Sequence, residues 1–345
     1  MQQMVEDFEL QLTKAGSEEE TRLYQEVRGF LQANLGRPVD LESVFSVIDA
    51  IINYSPDRIG PAALYLSVQM QVRAAPKDTK QETYRLSPPE PATVETALVL
   101  RGRFESFTRA KCEIPDNNLG KIEETYDQLF KYFGDRVGGS RYGNRTVGDW
   151  PLFTTNYDPV LEHYWLDFAK VPLNTGFQWN DVAGMKVSNP DVFRNSGLRL
   201  FKLHGSLTWL NDPEYGLTEQ RIIPRDMKTA TGSRFLGQVM LYPIEEKELY
   251  VEPYLTMFQQ LNRELASTTP WVVIGYSFAD RFIREIFMHN SKKGTRMVLL
   301  HPRAKEISKL LTGFRGRIDA VEMRFGEGNP AAAPQAMWSA LAQQW

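Results

Sequence analysis

The chain has 345 residues, 42% of them hydrophobic and 24% charged, with a formal net charge of −3. These are globular values, so disorder over most of the length is excluded, and at roughly 150 residues per domain the length suggests about two units or one large α/β domain with an insertion. The slightly acidic balance excludes a chain-wide electrostatic grip on nucleic acid or on an anionic membrane.

Cys112 is the single cysteine. No intrachain disulfide can form, and a reducing, cytoplasmic compartment is expected. The four histidines are His163, His204, His289 and His301. No two stand at i, i+4 and there is no CxxC, so neither a structural zinc site nor any other metal site is expected. The opening MQQMVEDFELQL lacks the basic-then-apolar pattern of a signal sequence. No apolar run reaches the ~18 residues of a membrane-spanning helix.

In chain order, the first part reads as helical. FELQLTK and EEETRLYQEVRGFLQANL repeat apolar residues at three- and four-residue steps. Gly36 and Pro38 stop that pattern, and Asp40 is placed to cap LESVFSVIDAIINY. Pro61 opens a further helical stretch, AALYLSVQMQVRAA. KDTKQETYRLSPPEP reads as an exposed loop. TVETALVLRGRFESFTRA and GKIEETYDQLFKYFGDR predict two more helices. The Gly- and Arg-rich GDRVGGSRYGNRTVGDW reads as a solvated boundary loop near Gly148.

From Trp150 the period changes. WPLFTT, RLFKLHG, QVMLYP, PWVVIGYS, TRMVLLHP and RIDAVEMRF read as strands, with helices near 253–267, 280–290 and 304–311. Such alternation predicts a doubly wound parallel sheet. WVVIGY and RMVLLH are apolar throughout, as strands covered on both faces should be. The domain reading is a helical segment over 1–148, an insertion or lid, and a Rossmann-like core over 149–345. Phe177, Trp179 and Trp209 could stack on a ligand or a partner, with core burial the simpler reading of each.

Ligands of such sheets bind beyond the carboxyl ends of the strands. Three strand ends carry polar turns. LFTTNYDPVLE gathers Thr154, Thr155, Asn156 and Asp158, with Asp158 as N-cap and Pro159 opening the helix. LFKLHGSLTWL delivers His204, Gly205 and Ser206, and a histidine there suits general base work. WVVIGYSFADRFIREIF presents Gly275, Tyr276 and Ser277 before a helix capped by Asp280, where glycine permits close backbone approach and the helix start favours phosphate. Read singly, each turn is also explained without chemistry: a cap, a hydrogen-bonded loop histidine, an ordinary strand-to-helix connection. The GEGNPA run at 326–331 is a degenerate glycine fingerprint with no downstream acid.

In this order the three motifs, TTNYDPVLE, LHGS and GYSFAD, resemble those of the sirtuin-like superfamily, most closely its zinc-free bacterial branch in antiphage defence. The resemblance spans about Trp150 to Phe325. It implies a Rossmann-like fold that binds NAD, with Asn156 and His204 as the catalytic pair. Asp158 matches a position near the nicotinamide end, and Gly275 and Ser277 match a loop near the phosphates and ribose. His301 stands where the family often has Asn against the adenosine ribose. Thr154, Thr155 and Gly205 complete the expected binding set. The family normally begins with a strand and a GAGxS loop that cradles the pyrophosphate. No such segment stands before residues 41–48 here, and the expectation is that the natural N-terminus is longer than this chain.

The single cysteine leaves out the zinc module of the deacylases, which shifts the expected activity to an NAD glycohydrolase that releases nicotinamide and ADP-ribose, in antiphage defence by NAD depletion. The alternatives are a non-catalytic subunit that senses NAD or ADP-ribose, and an ADP-ribosyltransferase or deacylase using the same pocket. The need to gate a toxic activity implies a homo-oligomer or a separate partner, a sensor or a HerA-type ring ATPase, since no GxxxxGK[ST] occurs.

Overall fold

The computed structural model describes residues 2–35, 39, 41–52, 90–112, 116–137, 140–142, 145–195, 197–212, 214–219, 238–240 and 252–342. These divide into two compact units, the described parts of Met1–Cys112 and the described residues from Glu113 onward.

The first unit consists of the helices Gln2–Ala15, Glu18–Leu35, Leu41–Ile52 and Pro91–Cys112. Their apolar faces meet around Phe8, which packs against Tyr24, Phe45, Phe104 and Phe107. Phe45 and Phe104 stack with ring centroids 3.7 Å apart. Ser17 and Glu20 form a reciprocal capping box at the start of the second helix: the Glu20 N–H donates to Ser17 Oγ and the Ser17 N–H to Glu20 Oε1. The helix expected after Pro61, the cap at Asp40 and nearly all of the KDTKQETYRLSPPEP stretch lie outside the described residues.

The division falls after Cys112, whereas the change of sequence period lies near Gly148. The reason is the helix Asp116–Val137. Its Leu129 and Phe130 are buried in one core with Tyr164, Trp165 and Met337, so it packs with elements C-terminal to it. The Gly- and Arg-rich stretch expected to be a loop contains a short antiparallel hairpin, β1 (Ser140–Tyr142) with β2 (Arg145–Val147).

In the second unit, β3 (Pro151–Thr154) pairs parallel with β6 (Arg199–Lys202). β10 (Trp271–Ile274), β11 (Arg296–Leu300) and β12 (Arg317–Val321) form a parallel sheet in sequential order. The helices Tyr254–Ser267, Arg281–Asn290 and Ala304–Leu310 fall at the expected places. β11 shows how two cores arise from one strand. Successive side chains point to opposite faces, so Met297 and Leu299 join Val273, Ile283, Phe287 and Ile307 on one side. Val298 and Leu300 join Trp165, Met337 and Leu341 on the other. Phe153 and Phe201 extend the first core, and Leu152 and Leu198 the second.

The result is mixed α/β architecture in which β11 is buried on both faces, whereas β10, expected to be covered on both, leaves Val272 exposed. It differs from the expected single doubly wound sheet in two respects. Among the described residues the parallel strands form two pieces. A five-stranded antiparallel sheet, in order β4 (Phe177–Asn180), β5 (Met185–Ser188), β8 (Gly216–Glu219), β7 (Gly205–Asp212), β9 (Gln238–Met240), accompanies them. QVMLYP therefore supplies an antiparallel strand, pairing with β7, where a parallel one was expected. Trp179 on β4 is 60% exposed, against the expectation of core burial, whereas Trp209 is fully buried and Phe177 nearly so.

Phe201 stacks between Phe153, at 4.7 Å, and Phe193, at 4.3 Å, on the strand that leads into the turn carrying His204. Phe201→Ala should cost about 3–5 kcal/mol of stability, and Phe201→Leu clearly less. Urea denaturation followed by circular dichroism measures both. A loss below about 1 kcal/mol for Phe201→Ala would contradict this packing.

Candidate functional site

Parallel pairing of β3 and β6 sets Thr154 beside Lys202, so the two polar turns leave their strands side by side. Backbone bonds continue the contact past the strand ends: Leu203 N–H donates to the Thr154 carbonyl at 2.9 Å and Leu207 N–H to the Tyr157 carbonyl at 3.0 Å. Ser206 Oγ reaches the same Tyr157 carbonyl at 3.4 Å. The Tyr157 and His204 rings lie 6.3 Å apart. Within the first turn, the Asn156 N–H donates to Thr154 Oγ1, and Asn156 is exposed. Asp158 accepts from the Val160 N–H at 3.1 Å. It thus does the work of a cap, although the helical turns start at Val160 because Pro159 holds the N-cap position itself.

Behind this turn stands Lys202, only 1% exposed. Its Nζ donates to the carbonyls of Asp158, at 2.6 Å, and Tyr157, at 3.3 Å, and to Glu162 Oε1, at 2.8 Å. All three acceptors lie on the segment after β3. Burial pushes the Glu162 carboxyl up, and the Lys202 ammonium pulls it back. The Tyr126 phenol is raised by burial and then by the negative charges of Asp158 and Glu162, which sets the helix Asp116–Val137 close to this turn.

His204 is buried, with Nε2 3.1 Å from Asp280 Oδ2. Asp280 is buried as well, and its other oxygen caps the helix Arg281–Asn290 by accepting from Phe282 N–H, at 2.9 Å, and Ile283 N–H, at 3.2 Å. One carboxylate thus starts a helix and holds the histidine of another strand. Gly205, at φ +90°, turns the chain sharply out of His204 into β7. Gly275 at φ +70° does the same after β10, and the space a Cβ would occupy there is open. Phe278, a non-glycine residue at φ +56°, is buried. Its carbonyl accepts from Arg284 Nη1 at 3.1 Å, which pins a backbone conformation that is costly for such a side chain.

The Gly275 N–H donates to the Leu300 carbonyl, which puts the GYSFAD turn beside the end of β11 and His301. His301 Nδ1 accepts from the Arg303 N–H at 2.9 Å. Burial, and then the Arg303 charge, lowers the proton affinity of this imidazole. The candidate site residues singled out from sequence therefore stand at carboxyl ends of parallel strands: Thr154 as the last residue of β3 with Thr155, Asn156 and Asp158 after it, His204 and Gly205 after β6, Gly275 and half-buried Ser277 after β10, His301 after β11. The turns after β3 and β6 are joined by hydrogen bonds, and the turns after β6 and β10 by His204 and Asp280. The GEGNPA turn is placed differently. A Cβ on Gly326 would meet Thr125 of the helix Asp116–Val137 at 3.3 Å, and Asn329 accepts from the Ala331 N–H, so this turn is filled by protein.

Sequence reasoning misses three members of the constellation. It reads Asp280 only as a cap, and it does not single out Lys202 or Glu162. A lysine two residues before the histidine, on a strand whose other residues are mostly apolar, is the signal that could have found the clamp.

Residues 151–313 match the family model of the SIR2-like domain, and all three motif turns lie inside that span. Comparison with curated proteins finds no match. The SIR2-like match supports a place for this segment in the sirtuin-like superfamily, whose enzymes commonly use NAD. Among the described residues no group of three or more His, Cys, Asp or Glu could hold a metal ion, and no helix is long and apolar enough to cross a membrane.

The double use of Asp280 yields a measurable difference. Asp280→Ala removes the cap, worth about 1 kcal/mol, and leaves a buried ring nitrogen without its acceptor, a further ~1–3 kcal/mol. Asp280→Asn keeps an oxygen for the cap and should lose distinctly less. Denaturant titration of both variants checks this, and equal stability of Asp280→Ala and the unaltered protein would refute the assignment.

Proposed function

We propose that this site cleaves NAD at the bond between nicotinamide and ribose, with water as the acceptor. The observation that carries the reading is the buried His204–Asp280 pair at a parallel strand end, tied to the Asn156 turn within the SIR2-like span. Water adds to C1 of the nicotinamide ribose, neutral nicotinamide leaves with the bonding electrons, and the proton of the water passes to His204. The products are ADP-ribose, nicotinamide and a proton.

Each residue has a physical task. Asp280 accepts from Nε2–H of His204, which fixes the ring orientation and puts the basic lone pair on Nδ1. It also compensates the positive charge that the ring gains with a proton. A base so placed contributes on the order of 10²–10⁴-fold. The exposed Asn156 carboxamide positions the water or a ribose hydroxyl, and correct placement adds its own share of the rate. Gly275 allows the dinucleotide to approach the backbone closely, with Ser277 offering a hydroxyl beside it. Thr154, Thr155, Asp158 and Gly205 shape the nicotinamide end, and His301 faces the adenosine ribose. The chain would act in a reducing cytoplasm, in antiphage defence by NAD depletion. It would be held in check by self-assembly or by a separate partner chain such as a HerA-type ring ATPase.

Incubation with NAD tests the reading. Release of nicotinamide with free ADP-ribose supports hydrolysis. Labelling of a protein would indicate transfer, and binding without turnover would indicate a sensor. His204→Ala and Asn156→Ala should each lower turnover by at least about a hundredfold. Asn156→Ala should leave the melting temperature unchanged, since that side chain is exposed. Wild-type turnover in His204→Ala would overturn the assignment.

A further inference from the structure

Chemistry at a strand end does not require a fully buried lysine, yet the site has one. Lys202 is only 1% exposed, and its three acceptors, the Tyr157 carbonyl, the Asp158 carbonyl and Glu162 Oε1, all belong to the segment after β3. A buried ammonium is tolerated only when a counter-charge and hydrogen bonds replace its water. Lys202 is therefore committed to these partners, and the turn is committed to Lys202. Neither carbonyl can shift without stripping a donor from its acceptor in a low-dielectric interior. Asn156 immediately precedes the clamped Tyr157–Asp158 pair, while its own N–H is held by Thr154 Oγ1.

We propose that Lys202 is a positioning residue of this site: from behind, its ammonium fixes the turn that presents Asn156, and Glu162 serves as its buried counter-charge. The functional consequence rests on the NAD-cleavage reading, because it acts through Asn156. The clamp itself does not. A lysine that served stability alone would be replaceable, together with Glu162, by an uncharged pair. A lysine that sets the turn would not.

The experiment compares Lys202→Met, Glu162→Gln and the doubly substituted Lys202→Met/Glu162→Gln in the full chain. It measures melting temperature, kcat and KM for nicotinamide release, and amide hydrogen exchange of peptides covering residues 153–160. Lys202→Met alone strands the Glu162 carboxylate and should lower the melting temperature. The double variant removes that stranded charge and should recover most of the loss. Its kcat should nevertheless stay down by about a hundredfold, the scale of a misplaced catalytic group, with KM little changed. Exchange should accelerate in 153–160 and not in β10–β11. Glu162→Gln strands the ammonium charge and should lower the melting temperature. It leaves the ammonium on both carbonyls, however, so exchange in 153–160 should stay slow and turnover should hold within a fewfold. Should the lysine variants fail to fold, a Glu162→Gln variant with accelerated exchange in 153–160 and a kcat down about a hundredfold overturns the proposal. A double variant with unaltered kcat and exchange overturns the proposal, and so does a Glu162→Gln loss as deep as that of Lys202→Met. If the unaltered protein cleaves no NAD while exchange in 153–160 still accelerates in the double variant, the cleavage reading falls and the clamp stands. If NAD is cleaved and exchange does not respond, the clamp falls and the cleavage reading stands.

Discussion

A charged amine removed from water must find its full set of partners within the protein, and at Lys202 that requirement organises the ends of two strands. β6 cannot bury its lysine unless the segment after β3 turns back to offer the carbonyls of Tyr157 and Asp158 together with the Glu162 carboxylate. Once it does, Leu207 N–H and Ser206 Oγ reach the same Tyr157 carbonyl, and the second polar turn is laid against the first. The attraction within a buried ion pair is roughly offset by the cost of taking the charges out of water. What such a pair favours is one geometry, since moving the turn away strips the ammonium of its acceptors.

The second constraint is the division of labour on Asp280. A helix N-terminus leaves backbone N–H groups unsatisfied, and Oδ1 accepts two of them. Oδ2 is then directed away from the helix toward His204. Asn could cap but would bring an amide to the ring. Ser could cap but has no second oxygen. The residue type therefore follows from the two tasks together. Phe278, held at φ +56° by Arg284 and by burial, sets the path by which the chain reaches Asp280 from Ser277.

Helices are legible in the sequence because their signals are local. Apolar spacing marks the helices Glu18–Leu35 and Asp116–Val137, and an acid before an apolar face marks Arg281–Asn290. β11 is legible because burial on both faces demands an apolar run, Met297–Leu300. The antiparallel sheet is not, because β4 buries Phe177 but exposes Gln178 and Trp179, so no apolar run announces it. The turn between β4 and β5, where the Asn180 side chain accepts from the Val182 and Ala183 N–H groups and Gly184 has positive φ, is a local sign of that hairpin. The candidate site is half legible for the same reason. Each motif can be placed at a strand end, but His204 and Asp280 are 76 residues apart and Lys202 and Glu162 are 40 apart. Pairings at that range are fixed by the topology of the sheet and leave no local spacing to read.

The two acids at the helix starts bear on the chemistry in a way neither cap explains alone. A turn from strand to helix points a helix N-terminus at the ligand, with a partial positive charge of about half a unit. That suits a phosphate. It is unfavourable to a sugar that becomes oxocarbenium-like as nicotinamide departs. Asp158 and Asp280 each put a carboxylate on such an N-terminus, at the turns that carry Asn156 and Ser277. Asp158 offsets the positive field of its own turn, and Asp280 that of the next while its other oxygen faces the His204 ring. Under the proposed reaction the capping acids thus turn an anion-binding architecture into one that tolerates positive charge on the ribose. At the turn after β11 the charge is balanced differently, by Arg303 pairing with Glu306 at 3.7 Å across the start of the next helix.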